Sequence, residues 1–109
     1  MDINFNGFNE QVITFKADDL VFEGCLVKMK ESGVVTKATE DGEFLGVCLI
    51  ARDGYASVQV EGYVEIDLTG EVDVGEVALC ATTSGVKAAE AGKTYRVLFV
   101  GTDTVGFLL

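Results

Sequence analysis

Histidine, tryptophan and proline are all absent from this chain of 109 residues. Without histidine there is no Ser-His-Asp or Cys-His catalytic set and no imidazole to hold zinc. Only three cysteines occur, Cys25, Cys48 and Cys80, and no two of them form a CxxC pair. An odd count at wide spacing is not a disulfide framework, and each sits in an apolar strand context where a free thiol behaves as a small hydrophobe. Phosphate-cradling loops of the GxxxxGK[ST] and GxGxxG types are missing as well. Basic residues are scarce: eight stand against 18 acids, a net charge of −10. That charge repels phosphate backbones and anionic lipid surfaces, so neither nucleic-acid nor membrane binding is expected. It favours solubility or a basic protein partner. No apolar run approaches the roughly 20 residues that span a bilayer. Residues 1–10 have no basic n-region and no long apolar stretch, so they do not read as a secretion signal, and synthesis and retention in a cytosol are expected. The lack of proline removes one common guard against edge pairing, so strand edges must be closed, charged or used.

What is present is a repeated pattern. Gly24-Cys25-Leu26-Val27-Lys28-Met29 leads through Ser32-Gly33 and Glu40-Asp41-Gly42 to Leu45-Gly46-Val47-Cys48-Leu49. Gly75-Glu76-Val77-Ala78-Leu79-Cys80 leads through Ser84-Gly85 and Glu90-Ala91-Gly92 to Tyr95-Arg96-Val97-Leu98. The copies lie 50 to 52 residues apart, which is too few repeats for a solenoid and predicts two similar halves closing around one core. Apolar residues make up 49% of the chain, enough for a globular domain of this length.

The periodicity is that of strands. Val58, Val60, Val64, Ile66 and Leu68 share one parity, and Ser57, Gln59, Glu61, Tyr63, Glu65 and Asp67 share the other. Alternation of this kind predicts one buried and one wet face, with Gly62 allowing a bend that turns a corner. Residues 45–51 are apolar on both parities and read as a central strand. Asp53-Gly54 between apolar runs predicts a tight hairpin, and 94–109 predicts the same hairpin again around Gly101-Thr102-Asp103. Ser32-Gly33 and Ser84-Gly85 mark two more turns. No long helix is expected, and Ala88-Ala89-Glu90-Ala91 has room for a single helical turn. The expected fold is all-β: a small single-domain β-barrel or β-sandwich built from two similar strand-turn-strand halves, over residues 11–109.

Residues 1–10 differ from the rest, with dense Asn and Gly around isolated apolar side chains. They read either as a first strand whose phenylalanines pack on the barrel or as an N-terminal arm that orders on a partner, with Ile3, Phe5 and Phe8 as its apolar anchors for partner or neighbour contact. Among the acids, Glu61, Glu65 and Asp67 fall on the wet parity, and the run 67–73 lacks the spacing of a calcium-binding loop. No catalytic, cofactor-binding or metal-ligating residue is expected.

Laid out this way, the chain resembles the phage capsid cement, or head decoration, proteins, in particular the small prophage-type members. The resemblance rests on Phe15-Lys16-Ala17-Asp18-Asp19-Leu20-Val21, Gly24 to Lys28, Gly46-Val47-Cys48-Leu49, Val58 to Ile66, Val74 to Leu79, Ser84-Gly85-Val86-Lys87 and the closing Val105-Gly106-Phe107-Leu108-Leu109. It covers roughly residues 12–109 and consists of turn-and-strand patterns, with no chemical signature among them. It implies a non-enzymatic β-protein on the outside of an icosahedral head in the virion, made in the cytoplasm of a bacterial host. It further implies the major capsid protein as partner and association as a homotrimer. Expectations from other classes are a ligand- or carbohydrate-binding β-module, which would use exposed aromatics such as Tyr55, Tyr63 and Tyr95, a tail or head-tail structural protein, and a hydrolase using acidic residues.

Overall fold

The computed structural model describes residues 11–109, and every regular element among them is a β-strand. β1 (Gln11–Ala17), β2 (Leu26–Glu31), β3 (Val34–Lys37), β4 (Gly46–Arg52) and β5 (Tyr55–Glu61) form a closed barrel in the order β1-β3-β2-β4-β5. β6 (Tyr63–Asp67), β7 (Gly75–Ala81), β8 (Val86–Ala88), β9 (Thr94–Val100) and β10 (Thr104–Leu108) form a second sheet in the order β6-β10-β9-β7-β8. The expected all-β domain of two similar halves is what the chain forms.

The likeness of the halves extends to their hydrogen bonds. β1 pairs antiparallel with β5 and parallel with β3, where Ala17 faces Val35. β6 pairs antiparallel with β10 and meets β8 through one parallel bridge, Leu68 to Val86, each residue 51 positions beyond its counterpart in the first half. The next bond repeats too: the Asp18 amide donates to the Val35 carbonyl, and the Thr69 amide to the Val86 carbonyl. The outgoing strand of each second hairpin carries a bulge, at Leu49 in β4 and Leu98 in β9.

Gly62 joins the two sheets. Its φ of +101° is open to glycine and strained for other residues, and it breaks the 55–67 stretch into β5 of one sheet and β6 of the other. The predicted corner is therefore here. Gln59 lies on the predicted wet face yet is buried: its Nε2 donates to the carbonyls of Glu61, at 3.0 Å, and Tyr63, at 3.2 Å, on either side of the bend. Asp53 and Gly54 both adopt positive φ between the paired Arg52 and Tyr55, as the Asp-Gly signal requires. The turn at Gly101-Thr102-Asp103 differs: no residue in it has positive φ, and one extra residue makes the connection. The helical turn expected at 88–91 does not form; Ala88 ends β8, where the pairing of Leu79 with Ala88 overrides alanine's helical preference.

The interior holds two buried clusters where one core was expected. Val21, Cys25, Val27, Val35, Cys48, Ala56 and Val58 fill the first barrel. The second cluster contains Val64, Leu79, Ala81, Val86, Tyr95, Val97, Val105 and Phe107, together with Leu26, Ala38 and Phe44 from the first half. Leu26 and Val47 are register partners that face the second cluster, while their chain neighbours Val27 and Cys48 face the first. β2 and β4 thus form a wall with a core on each side, which is why residues 45–48 are apolar on both parities; Leu49 and Ile50, beyond the wall, are exposed.

Phe44 crosses that wall from the β3–β4 connection. Its ring stacks on Tyr95 with centroids 5.0 Å apart and meets Phe107 edge-on at 6.1 Å. Aromatic pairs in these arrangements contribute about 0.5–1.5 kcal/mol each beyond area burial. Truncating the plug leaves a cavity in the second core, so Phe44→Ala should cost about 3–5 kcal/mol. Urea unfolding checks this through a lowered midpoint with an unchanged m-value; a loss below about 1 kcal/mol would show that Phe44 is not an anchor.

Candidate functional site

Strand alternation and register define the outer face of β1, β5 and β4 row by row. Val12 lies beside Gln59; Thr14, Ser57 and Ile50 form the next row; Lys16, Tyr55 and Arg52 the one after. Val12, Ile50 and Tyr55 remain about half exposed, at 49%, 50% and 51%. Thr14 and Ser57 lie between them, and Lys16 and Arg52 flank Tyr55, with Asp18, Asp19 and Asp53 in the cleft beside Arg52. Leu49, pushed out by the β4 bulge, adds to the apolar surface. Scattered exposed apolar residues are ordinary on a soluble protein, but a contiguous group on one sheet face marks an interaction surface.

Among the described residues the edge beside this face is open. β1 meets β3 only at Lys16 and Ala17, so among the described residues 11–15 have a strand neighbour on the β5 side alone. Such an edge accepts a further strand through main-chain hydrogen bonds. The predicted anchors Ile3, Phe5 and Phe8 lie outside the described residues, on the segment that leads into this edge.

The matching face of the second half has diverged. The row equivalent to Thr14, Ser57 and Ile50 is Glu65, Gly106 and Phe99, and Lys16 is matched by Asp67. Tyr63 donates to Glu65 at 3.0 Å, and its ring occupies the space that a side chain at position 106 would fill. The two faces therefore share geometry but carry opposite charge. Sequence reasoning missed the first face because its signal, a run of outward apolar residues on β1, β4 and β5, emerges only once register aligns the three strands.

The remaining polar groups serve the scaffold. Lys87 on β8 pairs with Asp41 and, at 3.3 Å, with Glu40, whose other oxygen accepts from the Thr83 amide, so ion pairs tie the β3–β4 connection to the second half. Asp41 first and Glu40 next raise the Lys87 pKa. A hydrogen bond from Thr36, helped by the Leu20 amide and Lys30, holds the Asp18 carboxyl below its ordinary value. Among the described residues no three His, Cys, Asp or Glu side chains gather in a group fit to hold a metal ion. The acids around 67–73 are spread along a strand end and its loop.

The three tyrosines do not make an aromatic platform. Tyr55 is exposed, Tyr63 is half-buried, and Tyr95 is buried at 4% exposure against Phe44 and Phe107. Burial pushes the Tyr95 phenol up to about 12, with Glu43 adding; burial also pushes Tyr63 to about 12, with its hydrogen bond to Glu65 adding. A phenol whose folded pKa lies above its unfolded value of about 10 contributes stability that is complete below pH 10 and disappears as pH rises through about 12. The urea midpoint should therefore fall across that window, with part of the fall abolished in Tyr95→Phe; an equal fall in both proteins would contradict the assignment to Tyr95.

Comparison of the chain with family models, with curated proteins and with solved structures finds no match.

Proposed function

We propose that this protein is a phage capsid decoration protein that binds the outer surface of an icosahedral head and stabilises the expanded shell. The observation that carries the reading is the outer face of β1, β5 and β4, where Val12, Ile50 and Tyr55 are about half exposed, beside a strand edge that has no neighbour among the described residues. The resemblance of residues 12–109 to the cement proteins supports it. In this reading the apolar face seats on the major capsid protein. Residues 1–10 then add a strand along β1, with Ile3, Phe5 and Phe8 as anchors. A surface offered only by the expanded lattice makes binding stabilise that lattice by mass action. Association as a homotrimer multiplies weak contacts into an avid one.

Co-sedimentation with matching heads tests the reading. The intact protein should pellet saturably with expanded shells and remain in solution with unexpanded ones. Deleting residues 2–9, or introducing Ile50→Asp into the face, should each weaken binding tenfold or more, about 1.4 kcal/mol, while leaving the fold intact by circular dichroism. No pelleting with either shell would overturn the proposal and favour a ligand-binding module; assembly into rings of six or twelve would favour a tail or head-tail component.

A further inference from the structure

Cys25 and Cys48 stand opposite each other where β2 begins against β4. The ladder pairs Val27 with Gly46 and Leu26 with Val47. Beyond it Gly24, at φ +88°, and Cys25 together oppose Cys48 in a bulge: the Cys48 amide donates to the Cys25 carbonyl at 2.9 Å, the Gly24 amide to the Cys48 carbonyl at 2.7 Å, and the Cys25 amide turns to the Phe22 carbonyl, while the Phe22 amide donates to Cys25 Sγ at 3.4 Å. Both side chains enter the first core, whereas Leu26 and Val47 between them face the second. Residues that share a backbone hydrogen bond across an antiparallel pair have Cα atoms about 5.5 Å apart, inside the roughly 4.4–6.8 Å window of a disulfide. Sequence spacing gave no sign of this, because the two cysteines are distant along the chain.

We propose that Cys25 and Cys48 are a dithiol site that a small-molecule disulfide oxidises to a cross-link between β2 and β4. Access is from one side. Cys25, 5% exposed, lines a cleft of about 250 Å³ between the halves, with Phe22, Lys37 and the Thr82–Gly85 turn around it. Cys48 is 1% exposed and does not line it. The Cys25 thiolate attacks one sulfur of the reagent disulfide, forming a mixed disulfide and releasing one thiolate. The Cys48 thiolate then attacks the Cys25 sulfur and releases the second. The two protein thiol protons end on the two released thiolates, so one reagent disulfide is reduced to two thiols for each cross-link formed. Burial, with Cys25 and Glu23 adding and the Ile50 amide opposing, pushes the Cys48 thiol up to about 11. The closing step therefore quickens as pH rises toward that value. Cys80 has no such partner: it lies in the other half opposite Lys87.

The test treats the folded full chain with oxidised glutathione at mildly alkaline pH, quenches with acid, and alkylates in denaturant before mass spectrometry. The expected product is a monomer carrying one alkylated cysteine, Cys80, with the Cys25 and Cys48 peptides joined and two hydrogens lost. Closing a loop of about 23 residues should also raise Tm by roughly 5–15 °C. In Cys48→Ala the reaction should stop at one glutathione on Cys25. Three alkylated cysteines in the wild-type chain, a link that includes Cys80, or no adduct on Cys25 in the variant would each overturn the proposal.

Discussion

The double-sided wall of β2 and β4 is the constraint on which the rest of this structure depends. Each half is too small to build a generous core alone, since a domain of about 50 residues buries a modest fraction of its surface. The wall answers this by serving two cores with one pair of strands: Cys25, Val27 and Cys48 on one side, Leu26 and Val47 on the other. Phe44 completes the arrangement by lending a first-half aromatic to the second core, where Tyr95 and Phe107 enclose it. Full burial of a valine, leucine or phenylalanine side chain contributes about 1.5–3 kcal/mol, so removing either face of the wall would cost a large share of a small domain's net stability. The ion pairs of Lys87 with Glu40 and Asp41 join the same two halves at the surface, where exposed pairs add little.

Much of this was legible in the residues. The repeat of Gly24 to Leu49 in Gly75 to Leu98 anticipates two similar halves, and the alternation of 56–68 with Gly62 within it anticipates a bent strand that turns a corner. The two-sided apolar character of 45–51 marks the wall as far as Cys48, while Leu49 and Ile50 lie at the surface. Its meaning was hidden, because a strand buried between two cores and one buried inside a single core have the same pattern. Gln59 was misplaced by parity: alternation puts it outside, but outside at this point is the bend between halves, where two carbonyls need a donor. Phe44 carried no signal at all, since nothing local in a loop phenylalanine says that it fills the core of the other half. Tertiary pairing likewise overrode the alanine-rich 88–91.

The candidate interface was less legible than the fold. Val12, Ile50 and Tyr55 are far apart along the chain, and only the register of β1, β5 and β4 sets them side by side. Duplication also explains why one face stands out. The two halves share rows and bulges, so their differences show what each surface was free to become: Thr14, Ile50 and Lys16 on one, Glu65, Phe99 and Asp67 on the other. In a protein of net charge −10, this outer face carries Lys16 and Arg52 beside Val12, Ile50 and Tyr55, where the matching face carries Glu65 and Asp67.

The central claim, that one wall makes the two halves fold as a single unit, can be tested with cysteines already in the chain. Cys48 reports on the first core and Cys80 on the second half, both being buried free thiols. Brief thiol labelling of the reduced protein across a urea series, read for each of the two by mass spectrometry, gives an unfolding midpoint for each half. The account predicts one midpoint shared by both. Labelling of Cys80 at lower urea than Cys48, or the reverse, would show halves that unfold separately and would contradict it.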